Sequence, residues 1–256
     1  MPDMIPRQEI VANSAPVLAV TELTKLYKNG RGIENMSFSV DRGDVLGLLG
    51  PNGSGKTTAM KAIVGLCHFQ KGDVRIFGHS VAEEYEKAMA RVGCLIEAPA
   101  LYLYMTAYQN MKLAARHYPG TTAEDVNHLL KLVGLSRYQG DKVERFSLGM
   151  KQRLGLALAL LGTPELVILD EPVNGLDIEG MIEIREIIKK LAAEKGVSFF
   201  ISSHLAAEIE KTCNKVAVVH EGEMLSFDTV EEALRLNPSL EDYFLNKVRE
   251  KRGAVI

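Results

Sequence analysis

The spacing of hydrophobic and polar positions changes along the chain and predicts both strands and helices. Segment 36–40 alternates apolar residues with serines, which is typical of a strand with one buried face. Segments 45–49 and 166–169 are almost entirely apolar, as expected of strands buried on both faces. Apolar residues three and four positions apart over 126–133 predict an amphipathic helix.

Strand-like and helix-like segments alternate through the second half of the chain. The predicted order is helix 148–161, strand 166–169, helix 181–195, strand 197–201, helix 206–212 and strand 215–219. Because parallel strands need a crossover between them, this alternation predicts a parallel sheet with helices on both faces. We therefore expect an α/β fold.

The two ends of the chain differ from this central pattern. Residues 1–16 contain three prolines and no periodicity, so they are predicted to form a flexible tail. From residue 231 the pattern predicts short helices, followed by a charged tail over 246–256. One domain is therefore expected over 17–245.

Composition and charge exclude several classes of protein. The 256 residues are 46% hydrophobic and carry a net charge of −3, so no global basic field exists that would bind nucleic acid. Three widely spaced cysteines contain no C-x-x-C pair, which argues against a zinc knuckle and favours a reducing compartment. No apolar run approaches the ~20 residues that cross a bilayer, so another chain is expected to supply any membrane span.

Residues 50–58, GPNGSGKTT, match the phosphate-binding pattern G-x-x-x-x-G-K-[ST] in full. A predicted buried strand precedes them and a helix can begin at Thr57. Such a loop points backbone N–H groups at an anion, and the helix N-terminus adds partial positive charge. Lys56 is expected to contact the β- and γ-phosphates, and the Thr57 hydroxyl to bind Mg²⁺. The predicted nucleotide-binding residues here are Gly50, Pro51, Asn52, Gly53, Ser54, Gly55, Lys56, Thr57 and Thr58.

Polar side chains follow two predicted strands at the same edge of the sheet. Asp170 and Glu171 come directly after the strand 166–169. Asp170 suits Mg²⁺, and Glu171 suits activation of an attacking water. His204 follows the next strand and can hydrogen-bond a γ-phosphate. The predicted catalytic residues are therefore Glu171, His204 and Lys56.

Segment 147–153, Ser-Leu-Gly-Met-Lys-Gln-Arg, precedes a predicted helix and reads either as an N-cap or as a second anion-binding loop. Together with the motifs above, in this order, it resembles the signature segment of the nucleotide-binding subunits of ATP-binding cassette (ABC) transporters, usually Leu-Ser-Gly-Gly-Gln. Here Leu148 replaces the first glycine and Met150 replaces the glutamine. The resemblance therefore assigns the ATP-facing role to Ser147 and Gly149.

The resemblance extends from about residue 17 to 245. It implies a P-loop NTPase core with a parallel sheet, an N-terminal antiparallel β-subdomain and an α-helical subdomain inserted at about 86–160. It also implies that Tyr27 stacks on adenine and that segment 174–177 is the D-loop. In this family the signature segment of one subunit closes over ATP bound by the other.

The resemblance therefore implies a head-to-tail homodimer or heterodimer that holds two ATP molecules with Mg²⁺. Separate transmembrane permease subunits would dock near 97–109 and place the chain on the cytoplasmic side of the membrane, as a peripheral subunit. Hydrolysis would then open the dimer and drive substrate movement.

Glu97 stands where the family has the glutamine of its Q-loop. Either side chain offers an oxygen to Mg²⁺ or a water, but glutamate adds a negative charge beside the phosphates. We include Glu97 among the predicted metal ligands. The surrounding Ile-Glu-x-Pro pattern resembles the bacitracin and lantibiotic export branch, which implies a peptide antibiotic or lipid-like substrate.

Two other classes share the phosphate-binding loop. A soluble ABC-type ATPase of DNA repair or translation is the main alternative, although such proteins usually carry two cassettes or a long coiled-coil insertion. A P-loop kinase or GTPase is disfavoured by the ordered signature segment, and by the lack of the Asn/Thr-Lys-x-Asp motif that reads guanine.

Overall fold

The computed structural model describes residues 15–253, which form one ten-stranded sheet flanked by helices. The strands are β1 (Leu18–Leu26), β2 (Gly32–Val40), β3 (Val45–Leu49), β4 (Lys71–Ile76), β5 (His79–Ser80), β6 (Val92–Leu95), β7 (Leu166–Asp170), β8 (Ser198–Ser203), β9 (Lys215–His220) and β10 (Glu223–Thr229). The α-helices are α1 (Lys56–Ile63), α2 (Tyr85–Met89), α3 (Ala107–Ala115), α4 (Ala123–Leu132), α5 (Leu148–Ala159), α6 (Ile178–Lys195), α7 (Ala206–Thr212), α8 (Val230–Arg235) and α9 (Leu240–Gly253).

The central strands confirm the predicted parallel sheet. In the order β9-β3-β8-β7-β6, each strand pairs in parallel with its neighbour. Alternate residues of β3 and β7 enter two hydrophobic cores on opposite faces. Helices α5, α6 and α7 pack on one face, and α1 packs on the other. The carboxyl ends of β3, β7 and β8 therefore lie side by side.

The N-terminal strands form the antiparallel part of the sheet that the family resemblance implied. β1 pairs with β2 and β4, and β4 pairs with β5, all antiparallel. β10 forms a hairpin with β9 and pairs with β2 at Glu223 and Glu34, which joins the two parts. The sheet therefore continues from the phosphate-binding strand to β1.

The helical region is narrower than the predicted interval 86–160. That interval contains β6, which pairs with β7, because its short run Val92–Leu95 completes the edge of the main sheet. Helices α3, α4 and α5 pack together beside the sheet through buried residues such as Met111, Leu130 and Leu154.

The chain ends also differ from the predicted boundaries. α9 continues to Gly253 across the predicted boundary at 245/246, because Leu240, Tyr243 and Val248 give its charged sequence one buried side. Of the predicted tail 1–16, residues 1–14 lie outside the described part. Between residues 15 and 253, no helix has the length and hydrophobicity required to cross a membrane.

Candidate active site

The phosphate-binding loop connects the buried strand β3 to helix α1. Gly55 directly precedes α1 and has a φ of 105°, which residues with a side chain rarely adopt. No side chain caps the helix. A Cβ on Gly50 would lie 2.2 Å from the carbonyl oxygen of Val219, so only glycine fits there. The first turn of α1 therefore faces the loop without a side-chain cap, as an anion site requires.

Lys56 folds across the loop from which it projects. Its Nζ donates to the carbonyl oxygens of Gly50, at 2.8 Å, and Pro51, at 3.2 Å. The same nitrogen lies 3.2 Å from Glu171 Oε1, and the side chain is only 6% exposed. The ammonium group is thus held between the loop and the end of β7.

Asp170 is the centre of a hydrogen-bonded group at the end of β7. Its Oδ2 accepts from the Thr57 hydroxyl at 2.8 Å, and its Oδ1 accepts from the Ser202 hydroxyl at 2.6 Å. Ser202 Oγ also accepts from the backbone N–H of Glu171 at 2.9 Å. Ser202 was not among the predicted site residues. Its bridging role depends on the β7–β8 pairing.

The oxygens of Thr57 and Asp170 have the chemistry of a magnesium site. Both are hard donors and lie beside the phosphate-binding loop. Across residues 15–253, no three His, Cys, Asp or Glu side chains form a potential metal site. A metal ion here would therefore complete its coordination with substrate phosphates and water, as Mg²⁺ commonly does.

Glu171 and His204 meet at the ends of neighbouring strands. His204 Nδ1 lies 2.8 Å from Glu171 Oε2, and the imidazole is 30% exposed. Glu171 has a positive φ of 49°, which is uncommon for a residue other than glycine. Its Oε1 is buried and accepts no hydrogen bond within the described residues. One carboxylate oxygen is thus held by the imidazole, while the other faces Lys56.

A pocket of about 340 Å³ connects these groups with Tyr27. It is lined by Tyr27, Asn29, Arg31, Gly32, Asn52, Gly53, Gly55, Lys56, Thr57, Thr58 and Glu171. The Tyr27 ring is 44% exposed, and Lys25 Nζ lies 5.1 Å from its centroid. Asn29 and Arg31 were not among the predicted site residues, because only the folding of the β1–β2 hairpin brings that turn next to the loop.

Ser147 and Gly149 do not line this pocket. The Ser147 hydroxyl accepts from the Met150 N–H at 3.2 Å, so it caps α5. Leu148 is 60% exposed. A Cβ on Gly149 would lie 3.2 Å from Leu176 in the predicted D-loop, so the two segments are packed together. Their action on nucleotide bound by another subunit stays a prediction.

Glu97 lies outside the pocket, on the side of α1. Its carboxylate accepts from Lys61 Nζ at 2.6 Å and is 62% exposed. This hydrogen bond raises the pKa of Lys61 above its usual value, against the opposing effect of partial burial. The predicted contact of Glu97 with a metal ion stays a prediction.

Comparisons with known proteins agree with this arrangement. A family model described as ABC transporter matches residues 33–174, more than half of the chain. The bacitracin transport ATP-binding protein BcrA of Bacillus licheniformis is 40% identical, with 82% of this chain and 68% of that protein aligned. The lantibiotic transport ATP-binding protein SrtF of Streptococcus pyogenes is 37% identical over 92% of this chain and all of that protein.

The fold agrees with a solved structure described as an ATP-binding subunit of an ABC transporter. The sequences are 30% identical, the TM-score is 0.82, and the match covers 91% of this chain and 99% of the other. The sequence motifs, the order of strands in the sheet and these relatives all indicate the same family. The chain belongs to the ABC transporter family, as an ATP-binding subunit with an ATP-hydrolase domain.

Proposed function

We propose that this subunit hydrolyses ATP with Mg²⁺ as one member of a head-to-tail pair, and that the pair drives substrate movement through separate membrane subunits. The observation that carries the proposal is the convergence of Lys56, Glu171 and His204 beside the Thr57–Asp170 hydrogen bond. These contacts support the proposal, because they bring together a cation suited to phosphate, a carboxylate suited to act as general base and two oxygens suited to Mg²⁺.

Lys56 and the loop would bind the triphosphate. On binding, the Lys56 ammonium exchanges the carbonyl oxygens of Gly50 and Pro51 for the β- and γ-phosphate oxygens. Thr57 and Asp170 would hold Mg²⁺, which neutralises charge that develops on the phosphates. Tyr27, at the open side of the pocket, would stack on the adenine ring.

Glu171 would orient and deprotonate the attacking water. Its Oε2 is fixed by His204, and its buried Oε1 would accept the proton once the Lys56 ammonium turns from it to the phosphates. The contact between His204 Nδ1 and Glu171 would orient the imidazole ring. Its Nε2 edge would then face the γ-phosphate and hold it in line with the water.

The second subunit of the pair would complete the site with Ser147 and Gly149. The start of α5 supports this role, because its first residue, Leu148, is 60% exposed. A helix N-terminus is suited to phosphate oxygens from across an interface. Either a second copy of this chain or a related subunit fits the same geometry.

The membrane subunits would dock beside Glu97. Tyr102, Leu103 and Tyr104, in the segment that follows it, are 50%, 48% and 64% exposed and form an apolar surface. Glu97 would contact Mg²⁺ or a water and transmit the nucleotide state to this surface. The pair would thus act at the cytoplasmic side of the membrane, as a peripheral subunit.

BcrA and SrtF are named as bacitracin and lantibiotic transport proteins, which supports a peptide antibiotic or lipid-like substrate here. Expression with candidate permease subunits in an antibiotic-sensitive host tests this function. We expect the minimum inhibitory concentration of bacitracin or a lantibiotic to rise, and the Glu171→Gln variant to abolish the increase. Resistance that persists with Glu171→Gln would contradict ATP-driven transport.

A further inference from the structure

A partly buried ion pair joins the two chain segments that leave the active site. Arg185 lies in α6, which follows Glu171 along the chain, and Glu208 lies in the first turn of α7, which follows His204. Arg185 Nη2 lies 3.2 Å and 3.1 Å from the two carboxylate oxygens of Glu208. The Glu171–His204 contact at the strand ends is therefore accompanied by a second contact between the following helices.

Burial makes this contact hard to break. The Arg185 and Glu208 side chains are only 15% and 13% exposed. An exposed ion pair is replaced by water at little cost, whereas separating a buried pair leaves two poorly solvated charges. The ion pair thus opposes arrangements in which α7 moves away from α6.

The backbone transmits this constraint from Glu208 to His204. The N–H of Glu208 donates to the carbonyl of Leu205 at 3.1 Å, and Leu205 directly follows His204. No side chain caps α7. A cavity of about 20 Å³ lies between α6, α7 and the end of β8, lined by both members of the pair and by Ser203. The ion pair closes one side of this small cavity and is one of the contacts that hold the turn, together with the Leu205 N–H, which donates to the Ser203 hydroxyl at 3.0 Å.

We propose that Arg185 and Glu208 are positioning residues for ATP hydrolysis, because their ion pair keeps the His204 imidazole on the Glu171 carboxylate. This inference rests on the proposed roles of those two residues. Neither Arg185 nor Glu208 lines the nucleotide pocket. Their loss is therefore expected to lower turnover without weakening ATP binding.

The kinetic test compares Glu208→Gln with Glu186→Gln. Glu186 is an exposed residue of α6, so its variant removes the same charge from the surface. We expect Glu208→Gln to lower kcat about tenfold, because small displacements of catalytic groups have effects of this size or larger. The Kd for ATP should stay within about twofold. Equal kcat for the two variants would overturn the proposal.

A spectroscopic test separates positioning from a general loss of stability. The imidazole resonances of the six histidines are recorded, and His204 is assigned from the spectrum of His204→Gln. We expect Glu208→Gln to shift the His204 resonance and leave most others in place. An unshifted resonance in the folded variant would overturn the proposal.

Arg185→Lys provides a second variant if Glu208→Gln does not fold, since it keeps a buried positive charge but loses the guanidinium contact. We expect it to lower kcat by about threefold to tenfold and shift the same resonance. Wild-type kcat with an unshifted resonance would contradict the proposed positioning.

The His204→Gln variant distinguishes a failure of the proposed role of His204 from a failure of the positioning role of the ion pair. If it retains wild-type kcat, the proposed role of His204 fails, and the positioning proposal fails with it. If it loses activity while Glu208→Gln and Arg185→Lys do not, only the positioning proposal fails.

Discussion

Helix α1 follows a glycine-rich loop and helix α5 carries Gly149 in its first turn, but the two first turns are built in opposite ways. α1 has no side-chain cap, begins at a glycine with positive φ, and faces a pocket made by its own chain. α5 is capped by the Ser147 hydroxyl, and its first residue, Leu148, is largely exposed. A phosphate site within one chain needs donors left free by the fold. We propose that the start of α5 belongs to a site shared between chains, and such a site must first be stable in the separate subunit, which the cap favours.

Replacing Glu171, the proposed general base, is expected to have the largest effect on the α1 side of this comparison. Glu171→Gln keeps the shape of the side chain but cannot accept the proton of the attacking water. We expect kcat to fall about 10²- to 10⁴-fold, with ATP affinity unchanged within about twofold. Measurements of phosphate release and equilibrium ATP binding test this, and wild-type turnover would disprove the role of Glu171.

Removing the loop cation is expected to weaken binding itself. Lys56→Ala deletes an ammonium group that would make charge-assisted hydrogen bonds to the triphosphate, so the Kd for ATP should rise about 10- to 100-fold. Lys189→Ala removes an exposed lysine from α6 and serves as the control. Equal ATP affinity in the two variants would show that the α1 loop is not the phosphate site.

A negative charge at the start of α5 is expected to affect only the proposed contact of α5 with nucleotide bound by the second subunit. Leu148→Glu places a carboxylate on an exposed residue, where folding tolerates it. If this surface faces phosphates bound by the second subunit, repulsion should lower turnover about tenfold. ATP binding by the isolated chain should not change. A variant with normal turnover would indicate that α5 has no contact with nucleotide.

Glu97→Gln is expected to have the smallest effect. It removes a mostly exposed ion pair with Lys61, so the free energy of unfolding should fall by no more than about 1 kcal/mol at neutral pH. Because the ion pair raises the pKa of Lys61, its stabilisation is complete below the usual value of 10.5 and disappears as pH rises through the raised pKa.

Unfolding titrations of the wild type and Glu97→Gln at several pH values measure this difference. A difference that increases above pH 10.5 has the wrong sign for this ion pair.

The parts of the fold with a strong local pattern could be predicted from the sequence. β3, β7 and β8 are buried at every position and contain short apolar runs, and α7 has the predicted bounds 206–212. β10 was missed because its residues are only partly buried, and its strand character comes from pairing with β9.

The site residues also differ in whether the sequence could predict their position. Lys56, Asp170 and His204 follow or adjoin buried strands, so their meeting at one sheet edge could be predicted. Asn29 lies beside the loop only because a distant hairpin folds over it. The Arg185–Glu208 pair joins two separate helices, and neither local sequence indicates the other.

Sedimentation of the Glu171→Gln chain with ATP and Mg²⁺ tests most directly the claim that nucleotide joins the α1 surface of one subunit to the α5 surface of another. We predict a mass of two chains with ATP, one chain with ADP, and one chain for the double variant Glu171→Gln/Leu148→Glu with either nucleotide. A Glu171→Gln chain that binds ATP but keeps the mass of one chain, or a double variant that still pairs, would contradict the account.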